Sequence, residues 1–561
     1  MEWWRWGLGG AVLVFSMVPR FHRVSYSILR WPLLGLIYSL ILAELCLYVS
    51  LRLLVRFLEL AETPAHRKLR RALRMASTYD EWLASAKALD ASKDAQRWQS
   101  DLRSTRYNWP FVRDMITRLR DGRAAGDWRS VVSTLRLCAR PNVAGVMHPQ
   151  LYSATYAGDP KTIISDFVRE TVDAIRWIAP NDDDAVRKAL LAARESYGKT
   201  VLSLSGGGAL GTYHFGVVRA MWAEGCLPET VCGTSAGAIV AAFVATRTEA
   251  ELVSQLFDDD LLRSNLRAFD RGPIEMASSF LRTGAAYDTD RWLEIIRWFA
   301  NEEGVKDMTF AEAYSRSGRN LAITVCARGK RAPPVLLTRH SSPHVLVSSA
   351  ILASCGVPGL IKPCGLFEKE SGSAVTPQNG ETYMDGSIVH DIPTKGLLEA
   401  FNARFVIASQ VNPHIVPMLY QTNGNVGDPT RWSSPRHEDA WRGGFAVAAL
   451  ELFLRSCMLS QLEFLRDVDA TPGWTGKFLT QNFEGTVTIT PALHFRDYFE
   501  SLKNPTKTSM ARFLREGRIA AYQKMYMIRT RYAIERAIDR ALGGAGGRLE
   551  SDDDSFTDDG A

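Results

Sequence analysis

The distribution of apolar and polar positions divides the chain into regions of different character. At 31–51 the sequence WPLLGLIYSLILAELCLYVSL carries one charge, Glu44, over about the length that a helix needs to cross a bilayer. Residues 61–195 mix charged and apolar positions at helical intervals and predict several short helices. Beyond 199, helical segments alternate with β-like runs: TVLSLS (200–205), LAITVCA (321–327), PVLLTR (334–339) and RFVIASQV (404–411). This alternation predicts an α/β fold with a mostly parallel sheet.

These patterns predict five parts along the chain. They are a membrane-embedded helix or hairpin at 1–60, a helical domain at 61–195, an α/β domain at 196–400, a mostly helical region at 401–545 that completes the fold, and an acidic disordered tail at 546–561. The last helical pattern, at 509–542, is basic and amphipathic, which fits either a packing helix or a helix at a lipid surface.

The N-terminal segment fits three arrangements. A shorter apolar run at 7–19 precedes the long one, so the two runs can form a hairpin broken near Pro19 and Pro32. Alternatively, the long run crosses the membrane alone, or it is a buried helix of a soluble protein. The sequence HRKLRRALR at 66–74 makes the C-terminal flank strongly basic. By the positive-inside rule, this flank predicts a main body that faces the cytosol.

Composition narrows the class of protein. The chain has 561 residues, 46% hydrophobic and 23% charged, which is typical of a folded protein with more than one structural unit. The net charge of +6 is too small to indicate a nucleic-acid partner. The eight cysteines form no CxxC pairs, so we predict reduced thiols, with no metal site and no cofactor. No pattern assigns an oligomeric state.

The segment VCGTSAGAIVAAF at 231–243 contains the first candidate for chemistry. Ser235 lies between Gly233 and Gly237 at GxSxG spacing, after a short apolar run and before a stretch of small residues. In a strand-turn-helix elbow the glycines permit the tight turn, and the N–H of Ala236 can face a developing negative charge. The alternative is that Ser235 is only a helix N-cap.

A glycine-rich loop precedes this serine. SGGGALG at 205–211 follows a predicted strand and opens a predicted helix, with Gly206, Gly208 and Gly211 at GxGxxG spacing. Its free N–H groups can hold either a phosphate or the oxyanion of an acyl intermediate. A dinucleotide site would need an acidic residue at the end of the next strand, and Glu229 precedes that strand instead. A P-loop would need Gly-Lys-Ser/Thr at the end of the glycine-rich loop, where this chain has Gly211-Thr212-Tyr213 instead.

A candidate base follows in TYMDGSIVHDIPT at 382–394. Asp385 ends a short apolar run directly before Gly386, where a carboxylate at a strand end can reach a site at the sheet edge. An Asp-Gly pair is usually only a turn. His214 and His390 also lie close to the motifs in sequence and would suggest a triad, although a histidine beside a loop is more often structural.

The order GGGALG, GTSAG, DGS resembles the patatin-like phospholipase family over about residues 200–400. The resemblance implies a three-layer α/β sheet domain and a Ser-Asp dyad in place of a triad. Ser235 is then the nucleophile and Asp385 the general base, and the oxyanion hole is formed by Gly206, Gly207 and Gly208 together with Ala236. The family usually has Gly or Ala after the Asp-Gly pair, whereas this chain has Ser387.

The preceding region is similar to the domain that precedes the patatin domain in fungal and plant triacylglycerol lipases. The segments that carry this similarity are TYDEW at 78–82, WRSVVSTLRLCARPNVAGV at 128–146 and LYSATYAGDPKTIISDFV at 151–168. The resemblance implies a lipase of triacylglycerol. Together with the apolar N-terminal segment and its basic flank, it predicts a protein on the endoplasmic reticulum or a lipid droplet, with its body in the cytosol. Phospholipase A, a lysophospholipid acyltransferase and a catalytically idle membrane scaffold are the alternatives.

Overall fold

A computed structural model describes residues 19–59, 63–301, 307–327, 334–369, 375–378, 380–430, 440–468, 470 and 481–543. The apolar run at 7–18 and the acidic tail at 546–561 lie outside the described residues. The chain divides into two compact units. The smaller unit comprises residues 1–61 and 443–480, and the larger comprises residues 62–442 and 481–561.

The helices and strands are numbered here in chain order. The helices are α1 (Pro19–Glu59), α2 (Pro64–Met75), α3 (Tyr79–Ala91), α4 (Ala95–Ser100), α5 (Trp109–Ala124), α6 (Trp128–Cys138), α7 (Thr162–Ile178), α8 (Asp184–Tyr197), α9 (Thr212–Ala223), α10 (Ala236–Thr246), α11 (Glu249–Leu256), α12 (Asp259–Asn265), α13 (Pro273–Thr283), α14 (Thr289–Ala300), α15 (Phe310–Ser317), α16 (Val347–Ser354), α17 (Thr394–Phe401), α18 (Phe445–Asp467), α19 (Asp497–Glu500) and α20 (Lys507–Ala541). The strands are β1 (Lys199–Leu204), β2 (Thr230–Gly233), β3 (Asn320–Ala327), β4 (Pro334–Thr338), β5 (Phe367–Glu368), β6 (Thr376–Pro377), β7 (Tyr383–Asp385), β8 (Ala403–Ser409) and β9 (Val487–Ile489).

The described residues of the smaller unit form the two helices α1 and α18. Helix α1 continues through Pro32, so the break near this proline that the hairpin alternative includes is absent. Proline removes one backbone donor, and the remaining bonds of a 41-residue helix hold the flanking turns together. Trp31–Glu59 and Phe445–Asp467 are each long and apolar enough to cross a membrane. The second of these was not expected from the sequence.

The prediction of short helices at 61–195 is confirmed by α2 to α8. Side-chain caps define several of their starts, because the first N–H groups of a helix have no partner within the helix. Thr78 accepts from the N–H of Glu81 at the start of α3, and Asp127 caps α6. Trp82 and Leu119 are buried in the hydrophobic core that these helices share with the sheet.

The main sheet has the strand order β4-β3-β2-β1-β8-β9, with β7 paired to β3. The pairs along β3, β2, β1, β8 and β9 are parallel, whereas β4 and β7 are antiparallel to β3. The prediction of a mostly parallel sheet is therefore confirmed. In such a sheet the loops at the carboxyl ends of the strands form the usual ligand-binding edge.

Helices cover both faces of this sheet and make the three-layer arrangement. Val201 of β1 packs with Leu397 of α17 on one face, while its neighbour Leu202 belongs to the core on the other face. Since both faces are covered, the strands are apolar at successive positions instead of alternating.

Helix α20 closes the second face against α9. Gly216 and Gly517 stand at this crossing, where a side chain on either would collide with backbone of the opposite helix. Most residues of α20 are buried or partly buried. The pattern at 509–542 is therefore that of a packing helix, and the lipid-surface alternative does not hold for it.

Candidate active site

The register of β3 brings the ends of two strands face to face. β2 runs parallel to β3 and ends with Gly233 opposite Ile323, whereas β7 runs antiparallel and ends with Asp385 opposite Val325. Because β4 pairs with the other edge of β3, β2 and β7 share one edge and lie one after the other. The residues that follow β2 therefore meet the last residue of β7.

Ser235 follows β2 in an unusual backbone conformation, with φ 53° and ψ −122°. Such a conformation is costly for a residue other than glycine and persists only when tertiary contacts hold it. Here the Ser235 N–H donates to Ser354 Oγ at 2.8 Å, and this hydroxyl donates to the carbonyl of Thr324 at 2.8 Å. Although Ser235 occupies the N-cap position of α10, its hydroxyl makes no capping hydrogen bond. The capping alternative therefore does not explain the side chain.

The Asp385 carboxylate is fully buried. Its Oδ1 accepts the N–H of Ser387 at 2.7 Å, while Oδ2 has no hydrogen-bond partner among the described residues. Burial raises the pKa of Asp385 to about 6, against the lowering effect of the Ser235 and Ser387 side chains. The Ser235 hydroxyl is thus close enough to affect this pKa without a hydrogen bond to Oδ2. A carboxylate with an unshared oxygen and a pKa near neutrality suits a general base.

The glycine loop at 205–211 lies against Ser235. A methyl group on Gly206 would lie 3.3 Å from the Cβ of Ser235. Gly208 has φ 60°, and a side chain there would be 2.5 Å from the carbonyl oxygen of Ser501. Only glycine fits this position without a backbone shift.

Three of the four predicted oxyanion donors have no acceptor. Within the described part of the chain, the N–H groups of Gly207, Gly208 and Ala236 donate to no other residue. The fourth, the N–H of Gly206, donates to the carboxylate of Asp391 at 2.8 Å. The Gly206 N–H therefore anchors the glycine loop, while the N–H groups of Gly207, Gly208 and Ala236 can donate hydrogen bonds to an oxyanion.

Asp391 is the centre of this anchor. Its buried carboxylate also accepts from Gln410 Nε2 at 2.8 Å and from Asn412 Nδ2 at 2.7 Å. Burial raises the pKa of Asp391 to about 7, and the negative charge of Asp385 adds to this increase. The carboxylate therefore ties the glycine loop to the segment that follows β8.

Gln481 connects the anchor to the candidate base. Its Oε1 accepts the N–H of Asp391 at 2.6 Å, and its Nε2 donates to the carbonyl of Ser387 at 2.5 Å. Ser387 in turn donates its N–H to Asp385. One side chain thus holds both ends of the 385–391 loop.

Two family profiles match this chain. The patatin-like phospholipase family matches residues 202–398, and a domain of unknown function, DUF3336, matches residues 60–197. The triacylglycerol lipase ptl2 of Schizosaccharomyces pombe is 33% identical over 533 residues, which cover 92% of this chain and 82% of that protein. This chain belongs to the patatin-like phospholipase family.

Other relatives agree with this assignment. The patatin-like phospholipase domain-containing protein CNBE2340 of Cryptococcus neoformans is 36% identical over 528 residues, and the match covers 92% of this chain and 60% of that protein. This patatin-like chain thus spans about three fifths of the length of that relative. Among solved structures, VipD of Legionella pneumophila is 15% identical over 59% of this chain and 67% of its own, with a TM-score of 0.28. A likeness this weak carries no argument about function.

The remaining motif glycines of this patatin-like protein stand where main chains approach closely. A side chain at any of them would collide with a neighbouring element: Gly211 with Ala236, Gly233 with Gly237, Gly237 with Leu204, and Gly386 with Thr324. The GxSxG spacing therefore permits the contact between β1 and the start of α10.

His214, one of the two histidines near the motifs of this patatin-like protein, has a structural role. His214 is fully buried, with Nε2 3.0 Å from the Ser205 carbonyl and Nδ1 2.8 Å from Ser409 Oγ. Because a carbonyl only accepts, Nε2 carries the proton and Nδ1 accepts from Ser409. Burial lowers the pKa of His214 to about 4, and burial also lowers that of His390. His214 is a structural link between β1 and β8.

Three residues of the site were not found by sequence reasoning: Ser354, Asp391 and Gln481. A weak signal existed for Asp391, which stands between the apolar Val389 and Ile392, where a solvated carboxylate is not expected. In the described ranges, no group of three or more His, Cys, Asp or Glu side chains could hold a metal ion.

Proposed function

We propose that this protein hydrolyses acyl esters of lipids with a dyad of Ser235 and Asp385. The observation that carries the proposal is the end-to-end meeting of β2 and β7. It sets a serine whose hydroxyl is not used for capping beside a buried carboxylate with a pKa near 6. Membership of the patatin-like phospholipase family and the similarity to a triacylglycerol lipase support a lipid ester hydrolase.

In the first step Oδ2 of Asp385 accepts the proton of Ser235 as Oγ bonds to the ester carbonyl carbon. The carbonyl oxygen becomes an oxyanion, which the N–H groups of Gly207, Gly208 and Ala236 stabilise. When the intermediate collapses, the ester C–O bond breaks and Asp385 returns the proton to the leaving alcohol. The fatty acyl group remains on Ser235.

In the second step Asp385 accepts a proton from water as the water oxygen attacks the acyl carbon. The same donors stabilise the second oxyanion. Its collapse breaks the bond to Oγ, and Ser235 recovers its proton from Asp385 while the fatty acid leaves. The cycle consumes one water and requires no other reactant.

For the substrate we propose neutral lipid, with triacylglycerol as the first candidate. Support comes from ptl2, which is named a triacylglycerol lipase and aligns over 92% of this chain. The family description favours a second candidate, a phospholipid. The dyad serves both, because they differ in the alcohol that leaves and not in the acyl chemistry.

The dyad is tested with Ser235→Ala and Asp385→Asn in the purified protein. Each should lower kcat on a long-chain acylglycerol by at least about 1000-fold, since loss of either partner removes the activated nucleophile. Ser235→Ala should also abolish labelling by a fluorophosphonate. Ser254→Ala, an exposed serine whose hydroxyl bonds only within α11, is the control. Wild-type turnover in either dyad variant would exclude that residue from the dyad.

The substrate class is tested by offering triacylglycerol, diacylglycerol, monoacylglycerol and phosphatidylcholine together. Lipid profiling of the products, with Ser235→Ala as the blank, should show triacylglycerol consumed first. Preferential release of lysophospholipid would contradict the neutral-lipid proposal while leaving the dyad intact. Labelling by fluorophosphonate without turnover of any lipid would favour another ester class.

We also propose that α1 attaches the protein to a membrane or a lipid droplet, with the larger unit facing the cytosol. Support comes from the apolar segment Trp31–Glu59 and the basic helix α2 that follows it. Replacing Leu40, Leu47 and Leu54 on the exposed side of α1 with lysine should release the protein into carbonate washes. As a control, lysine at the similarly exposed Leu137, Leu191 and Leu398 of the larger unit should not.

A further inference from the structure

The two helices of the smaller unit are antiparallel partners joined by polar contacts. Gln461 Nε2 donates to both carboxylate oxygens of Glu44, at 2.9 and 3.0 Å. Arg52 Nη1 pairs with Glu451 Oε1 at 3.2 Å. Glu44 pairs with Gln461, whereas Arg52, which comes later in α1, pairs with Glu451, which comes earlier in α18. The two helices therefore run in opposite directions. Their polar groups thus meet at the contact.

From Trp31 to Leu54 the large exposed side chains of α1 are apolar, and Arg56 adds an exposed charge near the C-terminal end of the helix. Its large exposed apolar side chains are Trp31, Leu33, Leu36, Tyr38, Leu40, Leu42, Leu47, Val49, Leu53, Leu54, Phe57 and Leu58. Two exposed serines do not offer their hydroxyls to water, since Ser39 donates to the Gly35 carbonyl and Ser50 to the Cys46 carbonyl. The helix pair thus has polar side chains at its contact and apolar side chains on its outer surface, the reverse of a soluble helix pair. This arrangement is typical of helices in lipid.

Helix α18 has a different outward side. Ser456, Ser460 and Glu463 are exposed at helical spacing, and Asp467 continues the same line. Glu451 and Gln461, by contrast, contact α1 on the opposite side of the helix. Large apolar side chains such as Phe453 flank the polar line. Helix α18 thus has a polar line, apolar side chains beside that line, and an opposite side that contacts α1. Such a helix fits a membrane interface, where the polar line faces water and the apolar side chains face lipid.

The short connection that follows α18 argues against a crossing of the membrane. The chain leaves the larger unit after Arg442 and returns to it at Gln481. At 23 residues α18 is long enough to cross, but only 13 residues, 468–480, remain for the return. They include Pro472, Gly473 and Gly476 and are too few for a second spanning helix of about 20 residues. An extended return through lipid would leave its backbone groups unpaired.

We infer that α1 and α18 form one antiparallel membrane insert in which α18 lies at the lipid surface and covers α1, with both ends of α18 on the same side of the membrane. The occupant of the exposed apolar surface of α1 is lipid. This inference rests on the proposed membrane association and not on the proposed catalysis. In this arrangement the insert enters the membrane from one side and does not emerge on the other. It therefore suits one leaflet of a bilayer or the monolayer of a lipid droplet.

The test uses the full chain with the more accessible native thiols removed by Cys46→Ser, Cys364→Ser and Cys457→Ser, because the other cysteines are buried. Single cysteines are then placed by Asp467→Cys at the end of α18, by Leu191→Cys on the larger unit and by Leu42→Cys on the outward side of α1. Sealed microsomes from cells that express each variant are treated with a membrane-impermeant maleimide, before and after detergent.

We expect Asp467→Cys to react as fully as Leu191→Cys in sealed microsomes, and Leu42→Cys to react only after detergent. Reaction of Asp467→Cys only after detergent would show a crossing helix and overturn the inference. Reaction of Leu42→Cys without detergent would mean that water or a protein partner, and not lipid, covers α1. Release of the full chain by carbonate would instead refute the membrane association itself.

The pairing is tested separately by Glu44→Cys combined with Gln461→Cys in the same background. Oxidation in membranes should cross-link this pair, whereas the outward-facing pair Leu42→Cys with Phe453→Cys should not cross-link. Equal cross-linking of both pairs, or of neither, would overturn the antiparallel contact.

Discussion

Ser354→Ala is the most informative substitution outside the dyad. Ser354 ends α16 and is fully buried, and its hydroxyl bridges β3 and the turn that follows β2. It accepts the N–H of Ser235 and donates to the carbonyl of Thr324, both at 2.8 Å. The substitution removes one oxygen and leaves two buried backbone groups without partners.

Two effects of different size should follow. Each unpaired buried group costs about 1–3 kcal/mol, so the loss of a partner by two groups should lower the free energy of unfolding by roughly 2–6 kcal/mol. The Ser235 conformation itself stores on the order of 1–3 kcal/mol of strain, which this hydrogen bond helps to hold. Once the bond is lost, Ser235 can relax and its Oγ moves. A displacement of about 1 Å costs about 100-fold in rate, so kcat should fall by roughly 10- to 100-fold.

The assay measures kcat on a detergent-dispersed acyl ester together with thermal unfolding. The matched control is Ser349→Ala on the same helix, a buried serine that donates to the Leu346 carbonyl at 2.9 Å and accepts from the Phe367 N–H at 3.2 Å. It should lose similar stability and keep its kcat, and Ser354→Thr should recover part of the rate. If both alanine variants lose equal stability and equal activity, the argument from Ser235 positioning is refuted.

Two further predictions concern the carboxylates. Because the base must be ionised, kcat/KM should rise with pH through about 6, the pKa of Asp385, and a pH-rate profile without this acidic limb would contradict the assignment. Asp391→Asn should lower kcat by about 10- to 100-fold, since an amide cannot accept from Gly206, Gln410 and Asn412 together. It should leave the acidic limb near pH 6, where Asp391, with a pKa of about 7, is already mostly protonated. Loss of the acidic limb in Asp391→Asn would show that Asp391 is itself the titrating base.

The local parts of the site follow from short stretches of sequence. β2 and α10 occupy Thr230–Gly233 and Ala236–Thr246, as the GxSxG segment predicts, because glycine spacing and small residues act within a few positions of Ser235. The end of β7 at Asp385 also follows from neighbouring residues, namely the short apolar run before it and Gly386 after it. That Ser235 and Asp385 meet depends on β3, whose register with both strands is set by pairing across the sheet. For this reason only the family resemblance predicted the pair.

Contacts between distant residues were beyond sequence reasoning, and α18 illustrates the physical cause. Glu451, Arg455 and Gln461 lower the mean hydropathy of its most apolar 18 residues to 1.4, against 2.0 for those of Trp31–Glu59, so α18 does not stand out as a membrane helix. Two of these residues, Glu451 and Gln461, are the ones that pair with α1. A polar residue that faces a polar partner is compatible with lipid, whereas one that faces hydrocarbon is not. Mean hydropathy counts a polar residue in the same way whether it faces a polar partner or hydrocarbon. Only the position of the partner helix distinguishes these two arrangements.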